Sequence, residues 1–146
     1  MTPTDYYPKL MKWLSPDDLN DICKTWLSEL QFIKDEQRFF QEVIRDHNRE
    51  LTTKSNYAHS KELLEQLAKS SAKTFQLIRT VEHQLRDLEI LVDGVDQLKE
   101  EQNFKRCQAG LHDEMDTHKN AFKNLKRELF KHIAHILKIE KSVSKV

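Results

Sequence analysis

The chain has 146 residues, which fits one domain over residues 1–146 and is long enough to bury a hydrophobic core. Its 24 basic and 24 acidic side chains give no net charge, whereas nucleic-acid-binding proteins normally carry a basic excess or a segregated basic stripe. Only 2 glycines and 3 prolines are present, far fewer than the turns of a β-rich fold require, so composition predicts helices and no nucleic-acid partner.

The sequence also lacks the usual signals for export and membrane insertion. No apolar run approaches the roughly 20 residues of a membrane span, and residues 1–14 contain no signal-peptide pattern. Cys23 and Cys107 lie far apart, without a CxxC or metal-ligand spacing. We therefore expect two reduced thiols in a cytoplasmic protein.

The clearest local signal is the segment Ser15-Pro16-Asp17-Asp18, which predicts the start of the first helix. Serine suits the N-cap, proline suits the first helical position, and the two carboxylates face the positive end of the helix dipole. Upstream, the apolar residues of positions 1–14 predict a short helical turn. The first helix, over about 16–51, has a stripe with steps of three and four: Leu19, Ile22, Trp26, Leu30, Ile33, Gln37, Phe40, Ile44, His47 and Leu51.

A polar segment at residues 52–56 predicts the first interhelical turn, and the second helix follows over about 56–99. Its steps of three and four alternate strictly, as in a coiled-coil seam. The seam consists of Tyr57, Ser60, Leu64, Leu67, Ser71, Thr74, Ile78, Val81, Leu85, Leu88, Val92 and Val95. A flanking row at seven-residue spacing, which suits packing against a second neighbour, consists of Leu63, Ser70, Leu77, Gln84, Leu91 and Leu98.

The second turn has two candidate positions. Gly94 can take a left-handed conformation and Asp96 can cap a following helix, which favours a turn there. Val95 and Leu98 nevertheless continue the phase of the second helix, and an early turn would leave three isoleucines of the third helix overhanging the other two. The later position, Glu100–Asn103, is therefore preferred.

The third helix is predicted over about 103–141, and Gly110 costs it roughly 1 kcal/mol relative to alanine without breaking it. Its stripe consists of Phe104, Cys107, Leu111, Met115, His118, Phe122, Leu125, Leu129, His132, Ile136 and Ile139. Three long helices joined by short turns predict an all-α, antiparallel up-down-up bundle. This layout, with Trp26 in the first helix, resembles spectrin-type repeats, and the resemblance implies a fold without implying a function.

Alignment across the first turn places Gln37 opposite Ser71 and Ile33 opposite Thr74. The polar side chains form one layer in an otherwise apolar seam. Such layers commonly set the register of helices at some cost in stability, and the alternative is a site for a small ligand or a buried water.

The later second turn places His118 level with Val81, and His132 level with Leu67. Each histidine is then isolated at its own level of the bundle. A buried histidine of this kind predicts sensitivity of the fold to mild acid.

Sequence motifs for catalysis are missing. The chain has no Glu-x-x-His for a di-iron site, no serine on a glycine-flanked elbow and no glycine-rich phosphate loop. His132 and His135 lie one turn apart and follow Glu128, which is half of a zinc site at most. We expect no enzyme, metal or cofactor, and the alternative is a bundle that binds a metal or a small ligand at these histidines.

Apolar side chains that remain after the core is assigned predict an interaction surface. They flank the stripes of the first and third helices at about the same height. With one interrupting glutamate, the predicted partner-binding residues are Phe32, Glu36, Phe39, Val43, Phe130 and Leu137. Such a patch suits a homodimer or a docked partner helix, so the sequence predicts a non-catalytic helical interaction or scaffold protein. The alternative is that these residues only widen the contacts within the bundle.

Overall fold

A computed structural model describes the backbone of residues 13–93 and 98–144 and the side chains of residues 13–91 and 99–138. The predicted N-terminal turn falls mainly on residues 1–12, outside the described residues. Four helices and no strand occur in the described ranges: α1 (Pro16–Asp46), α2 (Asn48–Leu51), α3 (Tyr57–Asp93) and α4 (Leu98–Ser144). The prediction of an all-α helical bundle is confirmed.

Helix α1 begins after Ser15, the predicted N-cap, and its first turn forms a capping box. The backbone N–H of Asp18 donates to Ser15 Oγ at 3.1 Å, and the backbone N–H of Ser15 donates to Asp18 Oδ2 at 2.9 Å. These reciprocal bonds satisfy two N–H groups that a helix N-terminus leaves without partners. The hydrogen bonds with Ser15, the backbone bond first, lower the pKa of Asp18.

The predicted first helix is interrupted near its end. Helix α1 ends at Asp46, and His47 takes a non-helical conformation (φ −113°, ψ 24°) before α2 resumes. The first turn lies at the predicted residues 52–56, where Asn56 Nδ2 donates to the Glu50 carbonyl and to Thr53 Oγ1. Local side-chain bonds therefore hold this turn together.

The break between the second and third long helices lies earlier in the chain than the position that the sequence analysis prefers. Helix α3 ends at Asp93 and α4 begins at Leu98, so the segment Glu100–Asn103 is helical. The preference for a turn at that segment is wrong, and the helix boundaries agree with the alternative near Gly94. Gly94 and Asp96 themselves lie outside the described residues.

Because the second turn was predicted too late in the chain, the predicted pairing of α3 and α4 differs from the observed pairing by one heptad. The sequence predicts that His118 lies level with Val81. In the structure, His118 Nε2 lies 2.6 Å from Oγ1 of Thr74, which is seven residues before Val81. Both stripes repeat every seven residues, so a slide of seven positions presents the same faces to each other. Ile136 does not overhang, since it is buried in one cluster with Leu51, and Ile133 packs against that cluster. Ile139, the third isoleucine, lies outside the described side chains.

In the described part of the chain, three clusters of buried apolar side chains form the core. At the end that holds the first turn lie Ile33, Phe40, Ile44, Leu51, Leu63, Leu67, Phe122, Leu125, Leu129 and Ile136. In the middle lie Cys23, Trp26, Leu30, Leu77, Ile78, Val81, Leu111 and Met115. At the other end lie Leu19, Leu88 and Phe104. Between the last cluster and the first, residue numbers rise along α1 and α4 and fall along α3. Helix α3 is therefore antiparallel to the other two.

The buried faces of α3 and α4 largely follow the predicted stripes and depart from them at a few positions. On α3, Leu63 of the flanking row is buried, whereas Leu64 of the predicted seam is exposed. On α4, Gln108 is buried and Cys107 is exposed. A helix between two neighbours buries a face that is broader than one seam, so residues of the flanking row are buried beside those of the seam.

Replacing Gly110 with alanine is expected to raise the free energy of unfolding by about 1 kcal/mol, because glycine costs a helix interior about that much. Gly110 is exposed in α4, and a Cβ atom built there meets no atom within 4 Å. Urea denaturation followed by circular dichroism measures the change. A destabilised variant would contradict the expectation.

Candidate functional site

Among the described side chains, two ion pairs join α1 to α4. Lys119 Nζ donates to Glu29 Oε2 at 2.9 Å, and Lys126 Nζ donates to Glu36 Oε2 at 2.8 Å. Each pair joins residues that are 90 positions apart in the chain. Helices α1 and α4 therefore run parallel and in constant register along this face.

Between these helices lies a surface that we call the α1/α4 groove. Its α1 edge consists of residues at steps of three and four: Glu29, Phe32, Glu36, Phe39 and Val43. Its α4 edge repeats the spacing: Lys119, Lys123, Lys126, Phe130, Ile133 and Leu137. Part of the groove is an open cleft of about 580 Å³, with Ile33 and Phe122 at its base and Phe32 on its rim.

Three of the predicted partner-binding residues are exposed apolar rings. Phe32 is 63% exposed, Phe39 is 51% exposed and Phe130 is 53% exposed. The buried ring of Phe40 contacts both of the latter edge-on, with centroid distances of 5.4 Å to Phe39 and 5.0 Å to Phe130. Phe39 and Phe130, on opposite edges of the groove, thus contact the same buried ring.

The other predicted residues are less accessible. Val43 and Leu137 are half-buried, so less of these two side chains is available to a partner. Glu36 is half-buried beside the Lys126 ammonium. It is therefore part of the charge pattern of the groove and does not merely interrupt an apolar row.

Charge is divided between the two edges of the groove. The α1 edge carries Glu29 and Glu36, and the α4 edge carries Lys119, Lys123 and Lys126. Lys123 is exposed, and in the described part of the chain it has no ion pair. The acidic edge therefore faces a basic edge with one lysine left unneutralised.

Exposed apolar side chains also occur away from the groove, and the sequence patterns did not predict their exposure; Tyr57 and Leu64 were placed in the buried seam of the second helix. The exposed side chains are Trp13, Tyr57, Leu64, Phe75 and Ile90. The Phe75 ring lies beneath the Lys34 ammonium, 5.9 Å from it, on the α1/α3 side. Ile90 lines a cleft of about 350 Å³ between α3 and α4, together with Cys107. Single exposed apolar residues are common, whereas the groove collects three rings.

A buried polar layer lies close to the predicted position, with one partner changed. Gln37 Nε2 donates to Thr74 Oγ1 at 3.0 Å and to Ser70 Oγ at 2.9 Å, so Ser70 takes the place predicted for Ser71. His118 Nε2 lies 2.6 Å from Thr74 Oγ1 and joins the layer. The expectation that His118 is isolated is wrong, since the heptad shift brings it level with Thr74.

His132 belongs to a second polar layer. Its Nε2 atom lies 2.8 Å from Ser60 Oγ, and its ring lies edge-on to His59 at a centroid distance of 4.5 Å. Burial lowers the pKa of His132, and the nearby His59 and His135 lower it further. His132 is therefore not isolated either, and the environment favours its neutral form.

A third polar layer was missed by the sequence analysis. Gln84 Nε2 donates to Gln108 Oε1 at 3.1 Å, and Gln108 Nε2 donates to Cys23 Sγ at 3.5 Å. Burial raises the pKa of the Cys23 thiol, which keeps it protonated and unreactive. The only available signal was Gln84 in the flanking row, because Gln108 lies one position beyond the predicted stripe.

Among the described side chains, no three histidine, cysteine or acidic residues are arranged to hold a metal ion. His135 is exposed, whereas His132 is buried against α3. The predicted half-site thus has its two nitrogens in different environments. The described helices also contain no stretch with the length and apolar character needed to cross a bilayer.

Comparison of the chain with protein-family models, with curated proteins and with solved structures finds no match.

Proposed function

We propose that this protein is a non-catalytic helical interaction or scaffold protein that docks a helix in the α1/α4 groove, from a second copy or from another protein. The observation that carries the proposal is that three exposed phenylalanine rings, Phe32, Phe39 and Phe130, lie along the two edges of one groove. Apolar patches of this kind commonly mark interaction sites. Both a homodimer and a docked partner helix would cover this apolar patch.

The energetic argument rests on the exposed parts of the rings. Full burial of a phenylalanine side chain contributes about 1.5–3 kcal/mol, so covering the exposed half of one ring contributes about 1 kcal/mol. Because Phe40 supports Phe39 and Phe130 from below, both rings are already positioned before a partner binds. Pre-organised anchors lose little side-chain entropy on binding, which favours their role as contact residues.

The spacing of the groove residues supports a helix as the ligand. Helix-in-groove recognition uses anchors at steps of three, four and seven residues. Both edges of the groove repeat those steps, and the two helices that form them are parallel. A docked helix would complete a four-helix arrangement with α1, α3 and α4.

Phe39→Glu is expected to abolish association through the groove, because a charge would replace a central apolar anchor. Phe75→Glu is the matched control, since Phe75 is 57% exposed but lies on the α1/α3 side. Sedimentation over a wide concentration range measures self-association, and affinity capture with each variant measures partner binding. Identical behaviour of Phe39→Glu and wild type in both measurements would refute the proposal.

A further inference from the structure

We infer that the occupant of the α1/α4 groove is a second copy of this chain, with a two-fold axis parallel to the helices, so that α1 of each copy packs against α4 of the other. This inference rests on the proposed function and specifies its partner and geometry. The observation behind it is the division of charge between the two parallel edges of the groove.

The register between the edges is the first step. The pairs Glu29–Lys119 and Glu36–Lys126 share one offset of 90 residues, and the contact of Phe40 with Phe130 has the same offset. Carboxylates, ammonium groups and rings therefore alternate at matched heights on the two edges. When a second copy packs face to face on the first, its matched residues lie at the same heights only if its helices run in the same direction as those of the first.

Two symmetric face-to-face arrangements are available. With the two-fold axis parallel to the helices, α1 faces α4 of the second copy, and the acidic edge meets the basic edge at both contacts. With the axis perpendicular to the helices, α1 faces α1 and α4 faces α4, so the edge that carries Glu36 meets an acidic edge and the edge that carries Lys126 meets a basic edge. Like charges placed opposite each other disfavour an interface, so charge complementarity selects the parallel axis.

The parallel arrangement also accounts for the local pattern of the groove. At matched heights, Phe39 of one copy faces Phe130 of the other, and the contact is repeated by symmetry. Lys123, which has no ion pair among the described residues, lies between the heights of Phe32 and Glu36 on the facing helix. In the dimer, the Lys123 ammonium can pair with the Glu36 carboxylate of the second copy and lie over its Phe32 ring. The second copy therefore supplies the ion-pair partner that Lys123 lacks in the isolated chain.

A charge-exchange experiment on the full chain tests this geometry. Lys123→Glu and Glu36→Lys are purified separately, and the dimer dissociation constant is measured by sedimentation for wild type, for each variant and for an equimolar mixture. Each variant alone opposes like charges at both symmetric contacts, so we expect about tenfold weaker dimers. In the mixture, each contact again joins opposite charges, so we expect heterodimers of about wild-type affinity.

The equimolar mixture tests whether misfolding explains the weaker dimers of the single variants. Glu36→Lys also breaks the internal pair with Lys126, but two misfolded proteins cannot restore each other's affinity. Lys123→Glu breaks no ion pair of the described residues, and circular dichroism checks that both variants stay helical.

Each remaining outcome has a definite meaning. If wild type dimerises and the single variants dimerise equally well, the parallel arrangement is overturned, while the proposed function stands. If wild type is monomeric at all concentrations but Phe39→Glu loses capture of another protein, the inference of a second copy is overturned and the proposed function again stands. If Phe39→Glu changes neither self-association nor capture, both fail.

Discussion

Phe40→Ala is expected to lower the free energy of unfolding by about 3–5 kcal/mol, the usual range for removing a buried phenylalanine ring. Phe40 is 1% exposed, lies in the largest core cluster and contacts the rings of Phe39 and Phe130. Its removal leaves a cavity between α1 and α4 that these half-exposed rings can fill only by leaving the surface. Urea denaturation at one low protein concentration, followed by circular dichroism, measures the loss.

Phe39→Ala is the matched control, because Phe39 is the next residue on the same helix and is half exposed. We expect this substitution to cost about 1 kcal/mol or less, since half of the ring is already in contact with water. Equal losses for the two variants would contradict the description of Phe40 as the buried support of the groove. Phe40→Ala should also weaken association more than its effect on folding explains, because it removes the contact that positions Phe130.

The second large effect expected is a loss of stability in mild acid. Burial lowers the pKa of His118 below its ordinary value of 6.5, and the Lys73 ammonium lowers it further. Burial similarly lowers the pKa of His132, aided by His59 and His135. Both histidines therefore remain neutral in the folded protein at a pH where they are already protonated in the unfolded chain.

The sign of the effect follows from proton linkage. Above about pH 7, neither state binds a proton at these histidines, so the depressed pKa values have no effect on stability. As the pH falls through 6.5, the unfolded chain takes up protons that the folded protein does not, and the free energy of unfolding decreases. The slope is at most about 1.4 kcal/mol per pH unit for each histidine, and the loss stops once the folded protein also binds the protons.

Urea denaturation at intervals between pH 7.5 and pH 5 measures this loss, in a range above the ordinary titration of carboxylates at about pH 4. His118→Gln and His132→Gln should each flatten the pH dependence, because glutamine retains polar atoms but does not titrate. His83→Gln is the control, since His83 is exposed on α3 and pairs with Asp87 at 3.4 Å. An equally flat profile for wild type would refute the prediction.

Local signals determined much of the fold from the sequence alone. The N-cap at Ser15 and the polar turn at residues 52–56 depend on bonds between residues that are close in the chain, so the local sequence was sufficient to predict them. The periodic stripes likewise predicted three long helices, because the spacing of apolar residues reflects the geometry of a single helix. The exposed rings Phe32, Phe39 and Phe130 were found by the same reasoning, as apolar residues outside a stripe.

Features that depend on how two helices are aligned were decided only by the tertiary structure. The second turn, and with it the pairing of His118 with Thr74, could not be read from stripes that repeat every seven residues, because two registers present the same faces. The choice of Ser70 over Ser71 depends on how far a helix is rotated between two neighbours, which no single helix specifies. Packing also decided that Val43 and Leu137 are half-buried while Phe39 and Phe130 are exposed, since the burial of a flanking residue depends on the distance to the adjacent helix.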